Sequence, residues 1–415
     1  MGLKVLIVAP ELPAPDRSAG HRRLFALLEM LTRHHHVDLW VESDFLDLPA
    51  KEIERYNRLF EAIGVQLLPT GWKSFASALA RTHYDIGFFE FYSSADRNAG
   101  EFRRRQPGAK VIIDSVDVHF ARESGGAELG VIDAAQVQET RKRELAAYRA
   151  ADTVIVVTDD DGRILRAEGD MPPLFLLPIV MPSRPRAHHP RPPELLFVGG
   201  FNHLPNLDGL SWFVKDVWPR VCEAIPEAHL TIIGSNTPAE VQAFNSLSGV
   251  EVIGFVPDTN PYLDRAAVSI APLRYGAGMK GKVVEGMSCG LPVVTTSIGA
   301  QGINALSGEH LLVADNEADF EQALVGLLRD SERCARIGLA GQRHIAKLCG
   351  PESVERALEE MLKATGPHHR SVGGWLHWRG LHLMFAFHFV ATNLARAVRK
   401  KLFGRAVVCS TSNGS

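Results

Sequence analysis

Short apolar runs alternate with longer polar segments along most of the chain. In the first half they lie at residues 3–9, 37–41, 85–90, 110–114 and 153–157. In the second half they lie at residues 194–198, 229–233, 251–253, 268–271, 292–295 and 310–313. Continuous runs of this kind are typical of buried parallel strands, and intervening segments such as residues 20–33 have helical spacing. The alternation predicts an α/β fold with parallel sheets covered by helices on both faces.

A proline-rich segment separates the two series of strands. Residues 181–193 hold five prolines, and because proline cannot continue a helix or a central strand, this segment is predicted to be a stiff linker. We expect a first domain at residues 1–180 and a second at 194–348, with a helix at 349–365 packing back on the first. Two such domains create a cleft between the carboxyl ends of their sheets, where α/β proteins bind ligands.

The composition is that of a globular protein. Of the 415 residues, 46% are apolar and 22% are charged, which excludes disordered, collagen-like and polytopic membrane proteins. The five cysteines are scattered and form no C-x-x-C pair, so neither a disulfide framework nor a zinc ribbon is expected. The apolar run at residues 3–9 is too short for a signal peptide. Together these features predict a cytoplasmic protein.

The net charge of −3, from 45 basic and 48 acidic residues, hides an uneven distribution. Glu360 is the last acidic residue, and eight Lys or Arg residues follow it. Residues 366–415 therefore form a basic, aromatic tail, whose apolar centre is interrupted by Arg379, His382 and His388, which disfavours a spanning helix. We expect an amphipathic helix on an anionic membrane surface, and the alternative is a C-terminal helix packed on the body of the protein.

The strongest local signal is the glycine-rich sequence P-L-R-Y-G-A-G-M-K-G-K-V-V-E at residues 272–285. It follows a predicted strand and leads into a helix that is predicted to begin at Met279. Backbone amides in such a loop and the positive end of the helix suit phosphate oxygens, and Arg274, Lys280 and Lys282 add positive charge. The sequence also matches G-x-G-x-x-G, but no acidic residue ends the next strand to hold a ribose. A dehydrogenase is therefore disfavoured.

At this loop the sequence resembles the retaining glycosyltransferases of the family-4, or group 1, type. The matching stretches are residues 272–287, 290–296, the sequence L-F-V-G-G-F at 196–201 and D-S-V-D-V-H at 114–119. The resemblance covers about residues 1–365 and is greatest to bacterial enzymes that build O-antigen and other surface polysaccharides. It implies the α/β GT-B fold, with two Rossmann-like domains and an interdomain cleft. It also implies sugar transfer from a nucleotide-sugar substrate with retained anomeric configuration, and no metal ion or cofactor.

The resemblance also implies which residues bind the donor. Glu285 matches the second Glu of the family's E-x7-E motif, which holds the donor ribose. Ala277 stands at the position of the first Glu, so contacts to the sugar hydroxyls are expected from the backbone around that residue. The other expected donor-binding residues are Gly20, Gly200, Phe201, Asn206, Gly276, Gly278, Met279 and Lys280. Gly20 matches the family's glycine loop, but it fits equally well a plain helix N-terminus capped by Ser18.

The expected catalytic residues are His119, Lys280 and Arg274. His119 matches the family's active-site histidine, which faces the donor sugar. The Arg and Lys that bind the diphosphate in the family are not evident near Gly200 and Asn206. We therefore expect Arg274 and Lys280 to supply that charge. No carboxylate nucleophile is expected, because amides and cations that stabilise the departing diphosphate are the main catalytic requirement.

Two further clusters are interpreted as structural. In residues 34–36 three consecutive histidines invite a metal site, but adjacent strand residues point to opposite faces. In residues 159–161 three aspartates are predicted to stabilise the positive end of a helix. Neither cluster is expected to bind a metal.

These features predict a glycosyltransferase at the cytoplasmic face of the membrane, peripherally attached through its tail. Its partners would be a nucleotide-sugar donor, a glycan or lipid-linked acceptor and the anionic membrane, with no nucleic acid. Two alternatives stay open. One is a GT-B-fold epimerase, which would convert the donor with no acceptor present. The other is a non-catalytic, membrane-recruited protein that binds nucleotide-sugars, since the first Glu of the motif is missing.

Overall fold

The structure is a computed structural model that describes residues 2–43, 49–128, 130, 132–185 and 193–365. Most of the predicted linker and the whole predicted tail, residues 366–415, lie outside these ranges. Within the described ranges no helix is long and apolar enough to cross a membrane.

The first sheet has seven parallel strands in the order β3-β2-β1-β4-β5-β6-β7. The strands are β1 (Lys4–Ala9), β2 (His36–Val41), β3 (Val65–Leu67), β4 (Ile86–Glu90), β5 (Lys110–Asp114), β6 (Thr153–Val156) and β7 (Leu174–Leu176). The helices are α1 (Ala19–Thr32), α2 (Ala50–Ala62), α3 (Trp72–Arg81), α4 (Phe91–Arg105), α5 (His119–Glu128), α6 (Ala134–Arg149) and α7 (Asp159–Ala167). Strand order reverses between β1 and β4, which makes this the topological switch point of the sheet.

The second sheet has six parallel strands in the order β10-β9-β8-β11-β12-β13. The strands are β8 (Glu194–Val198), β9 (His229–Ile233), β10 (Val250–Gly254), β11 (Val268–Ala271), β12 (Val293–Thr295) and β13 (Leu312–Val313). The helices are α8 (Leu204–Trp212), α9 (Trp218–Ala224), α10 (Ala239–Gln242), α11 (Asn260–Arg265), α12 (Gly281–Ser288), α13 (Glu317–Arg329) and α14 (Ser331–Cys349). A π-helical turn, Phe213–Val217, joins α8 to α9, and a 3-10 turn, Ala243–Ser246, follows α10.

A last helix, α15 (Pro351–Ala364), returns to the first domain. Its buried side chains Val354, Leu358 and Met361 belong to the same apolar core as Val5 and Leu24. The second domain has a separate core around its own sheet. The two domains therefore bury their sheets independently, and the last helix attaches the end of the described chain to the first of them.

The predicted α/β class with two parallel sheets is confirmed, with two local corrections. The edge strands β3 and β7 were not predicted, because three residues give too short an apolar run. Helix α12 begins at Gly281 rather than Met279, because Gly278 has a φ of +69° and Lys280 is extended.

Candidate active site

The glycine-rich loop after β11 lies directly against the first domain. A Cβ placed on Gly278 would lie 3.0 Å from the Cβ of Asp117 and 3.3 Å from the carbonyl oxygen of Val116. Gly278 also has a positive φ, which favours glycine. A Cβ on Gly126 of α5 would likewise approach the ring of Tyr275 at 3.3 Å. The carboxyl edges of the two sheets thus meet at a common cleft, and glycines allow their close approach.

His119 lies at the first-domain side of this cleft, at the start of α5. Its Nδ1 lies 2.9 Å from a carboxylate oxygen of Asp117 and 3.7 Å from one of Glu144. Buried Glu144 also accepts the backbone N–H groups of His119 and Phe120, each at 2.9 Å, which fixes the start of the helix. Burial lowers the pKa of His119, but the Asp117 carboxylate more than offsets this, so the net pKa is raised. The Asp117 carboxylate therefore favours the charged form of the imidazole.

The two cations predicted to bind phosphate have partners within the protein. Lys280 is 7% exposed, and its Nζ donates to the carbonyl oxygens of Ala277 at 2.9 Å and Gly278 at 2.5 Å. Burial lowers the pKa of Lys280 to about 8. Arg274 is exposed and forms a two-pronged ion pair with Asp208, with its Nε donating at 2.8 Å. Lys280 thus stabilises the loop that the sequence predicts to face the sugar, and Arg274 is neutralised by its neighbour.

A third cation, Lys282, lies at the carboxyl end of β8. Its Nζ donates to Asn206 Oδ1 at 2.6 Å and lies 4.3 Å from the centre of the Phe197 ring. A Cβ on Gly199 would lie only 2.6 Å from this Nζ and 2.9 Å from Asn206 Nδ2, so a side chain there would displace both groups. Burial lowers the pKa of Lys282 to about 7. Sequence reasoning notes the charge of Lys282 but gives it no role. The sequence feature that could have indicated a role is the position of Lys282 in the first turn of the helix that follows the loop.

Arg122 and His203 lie near Lys282, and Arg122 adds a second cation there. Burial, together with the charges of Arg122 and Lys282, lowers the pKa of His203 to about 4, so its imidazole is neutral near pH 7 and can donate a hydrogen bond but carries no charge. Arg122 comes from α5 of the first domain and forms an ion pair with Asp117. We call Arg122, His203 and Lys282 the cationic cluster. It includes residues of both domains, and neither Arg122 nor His203 is among the predicted site residues.

The other predicted donor-binding residues lie around this cluster. Asn206 is buried and donates to the carbonyl oxygen of Gly200 at 2.7 Å. Phe201 is 5% exposed and packs on Phe197 with ring centres 6.2 Å apart, within the core of the domain. Met279 lies at the far side of the loop, with its Sδ 3.6 Å from Cys349 Sγ.

Glu285 lies in α12, and its carboxylate accepts hydrogen bonds from residues of both domains. Its Oε1 accepts from Thr259 Oγ1 at 3.2 Å and from Nη1 of Arg22, in α1 of the first domain, at 3.3 Å. The carboxylate therefore faces the cleft, with an arginine across from it. Gly20 precedes Arg22 in the same turn. Ser18 caps that helix by accepting the His21 N–H at 3.1 Å, and the nearest atom to a Cβ on Gly20 would be 3.9 Å away. Packing within the protein therefore does not require glycine at position 20.

The part of the chain that forms the second side of this cleft is similar to proteins of a known family. Residues 192–330, about a third of the chain, match the family described as Glycosyl transferases group 1. This part of the chain is therefore similar to the group 1 glycosyl transferases, and we call it the group 1 domain. The predicted resemblance is thus confirmed for the domain that carries the glycine-rich loop, Lys282 and Glu285.

Solved structures with the same two-domain architecture confirm the GT-B fold. Sucrose-phosphate synthase of Thermosynechococcus elongatus is 17% identical, with a TM-score of 0.68 over 87% of this chain and 98% of its own. The Anabaena protein HepE, solved in complex with UDP-glucose, is 11% identical, with a TM-score of 0.66 over 87% and 100%. A glycosyltransferase of Rickettsia africae is also 11% identical, with a TM-score of 0.61 over 88% and 98%. At these identities the similarity is one of fold.

Part of the chain is also similar to a curated protein from a cps region. An uncharacterised 44.6 kDa protein in the cps region of Klebsiella pneumoniae is 30% identical over 140 residues. The match covers 32% of this chain and 36% of the relative, so the chain spans about a third of the length of the curated relative that it matches.

The two clusters interpreted as structural have partners that fit this interpretation. His35 accepts the Leu3 N–H at 3.2 Å and lies 3.2 Å from Glu359 of α15. Asp159, Asp160 and Asp161 form the first turn of α7, as predicted. Asp160 also accepts the backbone N–H of Gly302 at 3.1 Å, so this turn contacts the group 1 domain.

Proposed function

We propose that this chain is a retaining glycosyltransferase that acts in the synthesis of a surface polysaccharide. It would transfer a sugar from a nucleotide-diphosphate donor to a glycan or lipid-linked acceptor. The group 1 domain, expected at residues 194–348, would bind the donor, and the first domain, expected at residues 1–180, would bind the acceptor. The observation that carries the proposal is the cationic cluster beside Gly199 and Gly200.

The cationic cluster has the chemistry that a diphosphate requires. Lys282 has a single hydrogen-bond acceptor among the described residues, Asn206, and its Nζ lies where a Cβ on Gly199 would approach within 2.6 Å. Glycine backbone and a helix N-terminus at the end of a strand are suited to phosphate oxygens. Arg122 would reach the same anion from the first domain. We therefore assign the diphosphate to Lys282, His203 and Arg122, in place of the sequence-based assignment to Arg274 and Lys280.

The remaining groups fit the other parts of a nucleotide-sugar. Glu285 would hold the ribose hydroxyls with its carboxylate, which requires that Arg22 leave it. His119 would donate a hydrogen bond to the donor sugar. Gly20 has space around it, which would let the backbone of α1 approach a phosphate. In the reaction the acceptor oxygen bonds to the anomeric carbon as the bond to the diphosphate breaks, and the acceptor proton passes to the departing phosphate oxygen. The cationic cluster would stabilise the charge that develops there.

The charge of the basic tail supports binding of the protein to a membrane surface. We propose that residues 366–415 bind anionic lipid at the cytoplasmic face, which would bring the cleft to a lipid-linked acceptor. The proposal rests on the seven Lys or Arg residues of this segment and on the absence of any acidic residue after Glu360. The cps-region relative supports a role in surface polysaccharide synthesis.

The experiment that tests this function is titration of the protein with UDP, GDP and dTDP, followed by titration with the matching nucleoside. We expect Lys282→Met to weaken diphosphate binding roughly 30- to 150-fold, which corresponds to about 2–3 kcal/mol for lost hydrogen bonds to a charged group. Nucleoside affinity should be unchanged. Methionine fills similar space over Phe197 without a buried charge, so thermal unfolding should not shift downward. Arg274→Met should weaken binding less than about threefold, since Asp208 already neutralises that arginine.

Lys215→Met, at an exposed lysine of the same domain, is the matched control. Wild-type affinity in Lys282→Met, or a larger loss in Arg274→Met, would overturn the diphosphate assignment. Incubation of the bound nucleotide-sugar without acceptor tests the epimerase alternative, because an epimerase would convert the sugar under those conditions.

A further inference from the structure

Glu90 is the last residue of β4, at the switch point of the first sheet. It pairs in register with Asp114, the last residue of β5, and β1 lies on its other side. In open α/β sheets this crevice at the carboxyl ends of the strands is where ligands bind. Glu90 is only 3% exposed. A carboxyl group at this point is thus buried where the fold would receive a ligand.

The protein does not neutralise Glu90 with a nearby cation. Arg23 acts on Glu90 electrostatically, but its hydrogen bonds go to the buried Asp114 carboxylate and to the carbonyl oxygen of Leu177 at 2.9 Å. Within the described part of the chain Glu90 has no side-chain hydrogen bond. Buried polar groups are normally hydrogen-bonded, and an unsatisfied one needs an explanation. A ligand hydroxyl group would supply the missing partner.

The backbone after Glu90 connects it to the active-site histidine. Phe91 has a φ of +64°, a left-handed conformation that is strained for an aromatic residue. The rings of Phe91 and Tyr92 pack edge-on against the His119 ring, with centres 5.4 and 5.2 Å away. The strained turn therefore brings Glu90 next to the wall that holds His119. Strain of this kind is found at ligand sites, where the surrounding structure maintains it.

We propose that the Glu90 carboxyl group binds a hydroxyl group of a sugar acceptor at the switch point of the first domain. This inference rests on the proposed transferase function and adds the residue that would recognise the acceptor. Burial raises the pKa of Glu90 to about 8, with Asp114 and Glu11 raising it and Arg23 opposing them. Near pH 7 the group is then a neutral acid that can both donate to and accept from a hydroxyl. A neutral polyhydroxylated ligand suits such a group better than an anion.

The test compares Glu90→Leu with Glu90→Gln in a transfer assay with three acceptors: octyl glucoside, octyl galactoside and octyl mannoside. The donor is the nucleotide-sugar that the wild type binds. We expect Glu90→Leu to raise the acceptor KM at least tenfold and to leave the donor KM unchanged. Thermal unfolding should not shift downward, because leucine removes an unsatisfied buried polar group. Glu90→Gln can still donate and accept, so it should stay within about threefold of wild type at pH 7.

A pH profile separates recognition from a merely structural role. As pH rises through about 8, wild-type Glu90 loses its proton and its ability to donate, so the acceptor KM should rise. In Glu90→Gln this rise should be absent. A wild-type acceptor KM in Glu90→Leu, or the same pH dependence in both proteins, would overturn the proposal. So would transfer by the wild type to none of the three glycosides when it does bind the nucleotide-sugar. Failure of the wild type to bind any nucleotide-sugar would instead count against the transferase function itself.

Discussion

The carboxyl edge of the first sheet carries acidic side chains, and that of the second carries lysines. The first ends in acids, with Glu90 and Asp114 at the strand ends and Asp117 in the following loop. The second has lysines there, Lys280 and Lys282, both with pKa values lowered by burial. A phosphate-bearing ligand suits the second edge, and a neutral ligand with many hydroxyl groups suits the first. The difference indicates how one fold, used twice in a chain, can serve two substrates.

The opposite charges also bring the domains together. Asp161 and Asp117 of the first domain both act on Lys280 of the second, raising the pKa that burial lowers. Gly278 lets the lysine-bearing loop approach Asp117 closely. Carboxylates of the first domain thus attract the lysine-bearing loop of the second domain. A substitution of one of these charged residues should therefore change the pKa values of groups in both domains.

The largest effect is expected from Asp117→Asn, which removes an acid from the first edge. Asp117 raises the pKa of His119, so without it burial should leave the imidazole neutral near pH 7. We expect transfer at pH 7.5 to fall roughly 10- to 150-fold, the cost of losing a hydrogen bond from a charged group. Activity that needs the charged imidazole is lost as pH rises through its pKa, so the variant should lose activity at a lower pH. A pH–rate profile with NMR titration of His119 tests this.

In that experiment Asp159→Asn is the matched control, since Asp159 is exposed and accepts a hydrogen bond from Asn304 Nδ2 at 3.2 Å. An unchanged pH profile in Asp117→Asn would mean that His119 does not depend on this carboxylate for its charge.

The second effect concerns the contact between the edges. Gly278→Ala would place a methyl group 3.0 Å from the Asp117 Cβ at a φ of +69°. We expect a loss of about 1–3 kcal/mol in the free energy of unfolding, because the backbone is strained and the domains must separate slightly. Gly108→Ala is the control, since its Cβ would meet nothing within 4 Å. Chemical denaturation measures both, and an equal effect of the two substitutions would argue against a close contact at Gly278.

Sequence patterns predicted the strands well and the site partners poorly. Buried parallel strands leave continuous apolar runs, so β5 (Lys110–Asp114) and β8 (Glu194–Val198) were predicted with their observed bounds. Side-chain direction has no such local signal. Lys280 and Lys282 stand two residues apart, yet one binds loop carbonyls and the other binds Asn206, 76 residues away in sequence. A partner so distant cannot be predicted from spacing within a motif.

The pairing of charges shows the same limit. A lone arginine near a phosphate-like loop predicts phosphate binding, and only the fold reveals that Asp208 neutralises Arg274. His119 could be predicted because it follows a strand end in a matching motif. Its partner Glu144 could not, since it comes from α6 and binds the start of α5.

The smallest effect is expected from Arg22→Ala. In this pair the charges are exchanged between the domains, because the cation, Arg22, belongs to the first domain and the acid, Glu285, belongs to the second. Arg22 lies 3.3 Å from Glu285, but its side chain is 44% exposed, so the pair should contribute no more than about 1 kcal/mol. If a ribose must displace Arg22 from Glu285, the variant should bind uridine, guanosine or thymidine up to about fivefold more tightly. The gain should shrink in high salt, which screens an exposed pair. Titration at two salt concentrations measures it. Weaker binding of the diphosphate with unchanged nucleoside affinity would mean instead that Arg22 contacts phosphate, and the first edge would then share the donor site.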